Sequence, residues 1–201
     1  MDESEGKEEI NVRFEEPLKK EFHDNMWVGL AFVNKDAVSF ELEVTLPRSP
    51  DPPDYFRFSS FKLKVDATLP GKHVYEVFRR VFDKYSVKSE RLRKPLGYGY
   101  MEAAWDVDNE KIDEVLKEIG EKIGVRWRNE IANYLKNYWE WLMKKAEERL
   151  RTEKELATKF KNQFPGFGGF FGTCSPLEMM SQLSEIIDIA KKILKQLSNT
   201  A

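Results

Sequence analysis

The sequence predicts an α+β fold: an antiparallel sheet of four to five strands packed with helices, followed by a long C-terminal helical hairpin. Strand-like alternation of apolar and polar residues is confined to the first half of the chain, most clearly at 38–46. Helical spacing dominates the second half. The predicted strands also follow one another instead of alternating with helices, which is typical of α+β proteins.

The predicted sheet begins with a short edge strand at 10–14, where three apolar residues alternate with polar ones. Residues 26–33 are apolar on both faces, which predicts a central strand that is covered on both sides. Residues 38–46 alternate strictly. The short polar turn at 34–36 makes them the hairpin partner of the preceding strand.

A third strand is predicted at 55–67, after a segment with four prolines. Its apolar residues lie at even positions up to Phe58 and at odd positions from Phe61. We therefore predict a β-bulge at Ser59 and Ser60. Pairing with the second strand would set two lysines against two glutamates on the solvent face: Lys62 and Lys64 against Glu41 and Glu43.

The next elements are an amphipathic helix at 74–85 and a strand at 96–105, joined by a basic connector. Asp108 is the predicted N-cap of a second helix, which Gly124 ends. A long helix from about 126 to 160 follows.

A Phe/Gly-rich loop at 162–176 interrupts the helical pattern, and a final helix over about 177–197 folds back on the long helix as a hairpin. The predicted organisation is a disordered tail at 1–9, a sheet domain at 10–124 and a helical arm at 125–201.

The overall charge of the chain is almost balanced, with 33 basic and 35 acidic residues, so it gives no global attraction to nucleic acid or anionic lipid. Charged residues make up 34% of the chain, beside three Gln and one Cys, a pattern that favours a thermophilic, archaeal source. One cysteine excludes an internal disulfide. With no signal peptide and no long apolar run, we expect a cytoplasmic protein without a transmembrane segment.

The long helix supplies the first candidate site. Its apolar arc covers roughly 200°, twice the ~100° that one neighbour requires. Either the sheet and the last helix cover it, or a second copy covers one side, which predicts a homo-oligomer or a protein partner. The candidate partner-binding residues on this helix are Trp127, Tyr134, Tyr138, Trp139 and Trp141.

The second candidate is the Phe/Gly-rich loop, which has almost no charge. An exposed apolar loop indicates contact with a partner or lipid, and the alternative is that the rings pack back onto the protein. Its candidate residues are Phe164, Phe167, Phe170 and Phe171.

The third candidate is a basic stretch with two tyrosines, a combination that can hold phosphates and stack bases. The alternative is a solvated face with ion pairs to neighbouring acids. The stretch comprises Arg79, Arg80, Lys84, Lys88, Arg91, Arg93, Lys94, Tyr98 and Tyr100.

The fourth candidate is a set of carboxylates, Glu41, Glu43, Asp106 and Asp108, which are the ligand type that Mg²⁺ prefers. A hairpin with Asp36 and two glutamates resembles part of the PD-(D/E)xK nuclease arrangement. Glu43 stands where that family has Lys, and no Pro precedes Asp36. Helix capping and a solvated strand face are the alternatives.

No catalytic residue and no cofactor is predicted. The two histidines are isolated, Cys174 has no neighbouring histidine, and no phosphate-binding loop or nucleophile elbow is present. The sequence favours a non-enzymatic interaction or assembly protein that self-associates or docks through its helical arm. The alternative is a nucleic-acid-binding or nucleic-acid-processing protein, including a divergent metal-dependent nuclease.

Overall fold

A computed structural model describes residues 10–46, 56–87, 99–163 and 176–199. The strands are β1 (Val12–Phe14), β2 (Leu18–Lys19), β3 (Met26–Val33), β4 (Asp36–Thr45), β5 (Phe58–Asp66) and β6 (Tyr100–Asp108). The helices are α1 (Leu69–Phe82), α2 (Ile112–Lys122), α3 (Val125–Gln163) and α4 (Pro176–Asn199). The α+β class is confirmed, while the expected tail at 1–9 and the proline-rich segment at 47–54 lie outside the described residues.

The strands form one antiparallel sheet in the order β1-β3-β4-β5-β6, and β2 also pairs with β3, on the same side as β1. The edge strand predicted at 10–14 is present, but the two-residue strand β2 was not predicted. Pro17 lies between β1 and β2 and has no N–H to donate, so this edge of the sheet is split into two short pieces.

The sheet has an inner face, on which the described helices pack, and an outer face. Alternate residues of each long strand are fully buried on the inner face, among them Trp27, Phe40, Leu63 and Trp105. On the outer face Leu30 of β3 is 39% exposed. The prediction that β3 is covered on both sides is therefore wrong: β3 is internal to the sheet, but no helix of the described ranges covers its second face.

Strand β5 contains no bulge, so that prediction is also wrong. Its register with β4 and β6 is continuous, which places Ser59 on the inner face and Phe58 on the outer face, opposite Asp108. The Ser59 hydroxyl is buried and hydrogen-bonds to Oδ1 of Asn109. Asn109 in turn donates from Nδ2 to the carbonyl oxygen of Phe56 at 2.8 Å. Ser59 and Asn109 therefore form a polar pair at an inner-face position where the alternating pattern would place an apolar residue.

Helix α1 and the short turn before α2 each begin at a capping side chain, of which only Asp108 was predicted. Thr68 caps α1, its Oγ1 accepting a hydrogen bond from the N–H of Gly71 at 3.3 Å, so α1 begins five residues before the predicted start. Asp108 accepts from the N–H of Glu110 at 2.9 Å and caps the short turn that leads into α2. Gly124, with φ 149°, follows the end of α2 as predicted.

The first half of α3 lies between the sheet and α4. Trp127 stacks on Phe40, with ring centroids 5.2 Å apart, and its Nε1 donates to the carbonyl oxygen of Glu15 at 2.7 Å. Trp139 packs edge-on against Phe56. The apolar residues of α4 that bury themselves in the same core are Leu183, Ile186, Ile187, Ala190, Ile193 and Leu197. The chain's own sheet and last helix therefore cover the aromatic half of α3.

Among the described residues, no helix is both long enough and apolar enough to cross a membrane.

Candidate interaction surfaces

The far part of the helical hairpin, which we call the distal arm, comprises residues 147–163 of α3 and 176–182 of α4. Arg149 contacts Met179, Nη2 to Sδ at 3.9 Å, so the first turn of α4 lies beside the beginning of this stretch. Beyond Arg149, α3 continues through residues 150–163, or roughly 21 Å at 1.5 Å per residue. No described side chain of the distal arm is fully buried, and Leu156 and Leu177 are 54% and 75% exposed.

The aromatic residues predicted on α3 fall into two groups. Trp127 and Trp139 are fully buried inside the chain, so they offer no surface to a partner while the fold is intact. Tyr134 packs edge-on against Trp27, and Tyr138 is half-buried, which raises the pKa of its phenol well above the usual value. Trp141 is 46% exposed.

A second accessible surface is the outer face of the sheet, which carries an apolar column along β3. The column consists of every second residue of that strand: Met26, Val28, Leu30 and Phe32. Leu18 of β2 lies opposite Val28 in the ladder and is 71% exposed, which widens the column toward the sheet edge. The apolar surface is continuous across two neighbouring strands.

Charged residues of opposite sign flank the apolar column. On the edge side, Arg13 lies opposite Phe32, with its guanidinium 4.9 Å from the ring centroid, and pairs with Glu15 at 3.1 Å. Lys20 follows at the level of Met26, since its N–H donates to the Met26 carbonyl oxygen.

On the other side of the column, Glu41 and Glu43 of β4 lie opposite Val28 and Met26. Lys20 reaches across β3 to Glu41, Nζ to Oε1 at 2.9 Å. The predicted pairing of these glutamates with Lys62 and Lys64 is confirmed, because the β4–β5 register sets Glu41 opposite Lys64 and Glu43 opposite Lys62.

Phe22 is an unusual residue at the tip of the β2–β3 hairpin. Its side chain is 99% exposed, and its φ of 64° lies in the left-handed region that bulky residues rarely adopt. Within the turn, Lys19 pairs with Asp24 at 3.6 Å. The turn thus presents an aromatic ring with no compensating burial.

The candidate metal ligands do not converge. Asp106 and Asp108 lie on β6 and the two glutamates on β4, with β5 and its lysines between them. Two strand spacings separate the pairs, which is about 10 Å. No group of three or more potential ligands occurs in the described ranges, and Asp108 caps a helical turn instead.

Two of the described basic residues of the stretch are engaged with acids. Arg79 bonds to Glu76 at 3.0 Å and to Asp83 at 3.1 Å, which raises the pKa of its guanidinium. Lys84 bonds to Glu118 at 2.7 Å. Arg80 is exposed at the same end of α1, whereas Tyr100 begins β6 next to the start of α1 and lies under Lys64. The described members therefore do not form one patch.

Several predicted site residues lie outside the described ranges. They are the Phe/Gly-loop residues Phe164, Phe167, Phe170 and Phe171, and the connector residues Lys88, Arg91, Arg93, Lys94 and Tyr98. Cys174 is outside them as well.

Sequence reasoning did not find the outer-face surface. A signal for it was present, since eight consecutive residues of β3 are apolar or glycine and only alternate ones are needed for a one-sided strand. Phe22 and Leu18 had no signal, because they stand in a polar stretch that resembles an ordinary connection.

The fold and these surfaces together define an α+β protein in which the described helices pack on one face of the sheet and the long helix α3 continues past its last buried residue. No protein-family model matches this chain, and no curated protein or solved structure matches it at a significant level.

Proposed function

We propose that this chain is a non-enzymatic interaction or assembly protein that self-associates or docks on another protein through its helical arm. The observation that carries the proposal is the contrast within α3. The buried residues of α3 end at Ala146, yet the helix continues to Gln163 without a fully buried described side chain. Helices in proteins gain most of their stability from tertiary packing, so a helical extension with no fully buried described side chain favours a contact with a partner.

The chemistry of the distal arm supports a protein contact. Leu156 and Leu177 are exposed, and Leu150 and Met179 are only partly buried. Exposed apolar residues near the end of an ordered helical element are typical of interaction sites. The proposed setting is the cytoplasm, where a chain with one cysteine requires no disulfide.

The test replaces both exposed leucines, as Leu156→Ser with Leu177→Ser. Both side chains are more than half exposed, so the fold should persist while the contact is lost. The matched control is Lys154→Ser with Lys191→Ser, two exposed positions on the same helices. Molar mass by light scattering reports self-association. Partners co-purified with the tagged chain in its native cells report docking.

The proposal predicts that the leucine variant loses an association that the wild type and the lysine control retain. If all three proteins are monomers and recover the same partners, the arm is not an interaction element.

Nucleic-acid binding has less support from the described residues, because Arg79 and Lys84 already have acidic partners. It predicts affinity that falls steeply with salt and is weakened by Arg80→Ala. A filter-binding assay at two salt concentrations tests it.

A further inference from the structure

We propose that the outer face of the sheet is a second interaction surface, on which two copies of the chain stack face to face about a two-fold axis along β3. This inference concerns a surface separate from the distal arm and does not depend on the arm being functional.

The apolar column of β3 provides the first argument. A strand that is apolar on both faces is ordinarily covered on both faces, because each exposed apolar side chain forfeits the free energy of burial. The inner face of β3 is covered completely, with Trp27 and Ala31 at 0% exposure. On the outer face Leu30 is 39% exposed and Leu18 of β2 is 71% exposed. A missing layer over the outer face resolves this imbalance.

The charges on the two sides of the apolar column indicate that the missing layer is a second copy of the chain. A two-fold interface brings the same patch of both copies together, so residues on one side of the axis must complement those on the other. Arg13 and Lys20 lie on one side of the apolar column, and Glu41 and Glu43 lie on the other. An axis along β3 therefore sets the column of one copy on the column of the other and Lys20 on Glu43, while Arg13 faces Ala37 and Leu18 faces Glu41.

The register makes the pairing specific. Lys20 and Glu43 both lie at the level of Met26, on opposite sides of β3. Rotation about an axis along β3 leaves the position of each residue along the strand unchanged and exchanges the β2 side with the β4 side. Lys20 of one copy therefore faces Glu43 of the other. The bond from Lys20 to Glu41 leaves both side chains accessible, at 39% and 31%, so the amine can also reach a second carboxylate.

The stacking also agrees with the known geometry of sheets. Two sheets pack face to face about 10 Å apart with their strands within about 30° of each other, as an axis along a strand requires. A foreign amphipathic helix would also cover the apolar column. It would not require opposite charges at one level on the two sides, so the second copy fits the observations better.

The first test measures molar mass by analytical ultracentrifugation from about 1 µM to about 1 mM, the range in which interfaces of modest size associate. The wild type should approach twice 23.6 kDa as its concentration rises. Leu30→Lys places two like charges beside the proposed axis and should weaken the dimer at least about tenfold. Circular dichroism melts check that the variant remains folded.

A charge-exchange experiment supplies the sharper test. Lys20→Glu and Glu43→Lys should each weaken the homodimer, since each creates two like-charge contacts across the axis. An equimolar mixture of the two variants should form a heterodimer again, because both contacts are then of opposite sign. Loss of the Lys20 bond to Glu41 within one chain cannot produce rescue between chains.

Three results would overturn the inference. The wild type stays monomeric up to the highest concentration, the mixture fails to restore the dimer, or Leu30→Lys leaves the dimer intact. A dimer that survives Leu30→Lys and disappears with the substitutions at Leu156 and Leu177 would favour the distal arm instead, so the two proposals fail independently. If a different protein dissociates the dimer, and does so only when Leu30 is present, the outer face of the sheet would be assigned to that protein.

Discussion

The ring of Phe40 lies against the backbone of Gly29, its partner across the β3–β4 ladder. A Cβ atom built on Gly29 would stand 2.1 Å from Cζ of Phe40, well inside van der Waals contact. The ring is 1% exposed and packs on Phe14, Phe78 and Trp127, so it has no room to retreat. Position 29 is therefore restricted to glycine by the packing of the core.

Gly29→Ala should destabilise the protein by about 2–3 kcal/mol, because the methyl group overpacks a closed aromatic cluster. Urea unfolding followed by circular dichroism measures the loss. Gly99→Ala is the control, since nothing lies within 4 Å of a Cβ at that position. Equal stability of the two variants would contradict the close approach.

Asn109→Ala should cost about 2–3 kcal/mol, because it leaves the buried Ser59 hydroxyl and the Phe56 carbonyl oxygen without the partner that satisfies them. The free energy of unfolding in urea reports it. Asn129→Ala, at an exposed position on α3, should show no comparable loss. A neutral result for Asn109→Ala would mean that water replaces the amide at that site.

Phe22→Asn should stabilise the monomer by about 0.5–1 kcal/mol, since asparagine tolerates the left-handed conformation better and no buried contact is lost. Phe22→Ala keeps a side chain with no such preference and should give a smaller gain. Thermal and urea unfolding compare the three proteins. A loss of stability with asparagine would show that the ring has contacts in solution.

Glu118→Gln tests the ion pair between Lys84 and Glu118. The hydrogen bond and charge of Lys84 lower the pKa of the Glu118 carboxyl, and the same pair raises the pKa of the Lys84 amine. A depressed carboxyl pKa contributes stability above the unfolded value, near pH 4.3, and loses it as the pH falls through the folded value. A raised amine pKa contributes stability that is lost as the pH rises through the folded value.

The wild type should therefore exceed Glu118→Gln in stability at neutral pH, and the difference should vanish in acid and shrink above about pH 10.4. The effect is small because the pair is at the surface. Urea midpoints from pH 3 to pH 11 follow it, with Glu147→Gln as the control at an exposed position. A difference that does not depend on pH would point to packing instead of charge.

The charge-rich composition predicts a melting midpoint above about 65 °C, the upper end of the mesophile range. Differential scanning calorimetry measures it. A midpoint between about 45 and 65 °C would remove the thermophile prediction.

The parts of the fold that depend on a repeating pattern were predictable. Strict alternation fixed the inner face of β4 and hence the pairing of Glu41 with Lys64. Two features were not predictable, for different reasons. Ser59 is buried on the inner face through its bond to Asn109, which made a regular strand resemble a bulged one. Strand β2 has two residues and no period to detect.

The candidate surfaces were harder to predict than the fold. The apolar arc of α3 showed that it needs cover on two sides, but the sequence could not say that Trp127 and Trp139 find it within the chain. Which face of β3 is bare depends on where the helices pack, and this is a tertiary property. The carboxylates share one face of the sheet, but the strand order that keeps them apart cannot be read from the spacing of residues.

The continuity of α3 has a mechanical consequence. Thirty-nine residues in one helix measure about 58 Å, and the first turns are anchored among the aromatic rings of the sheet. A helix fixed at one end behaves as a stiff rod over this length, so its tip is held at a set distance and direction from the strands. A partner bound at the tip would therefore be held at a fixed distance from the sheet.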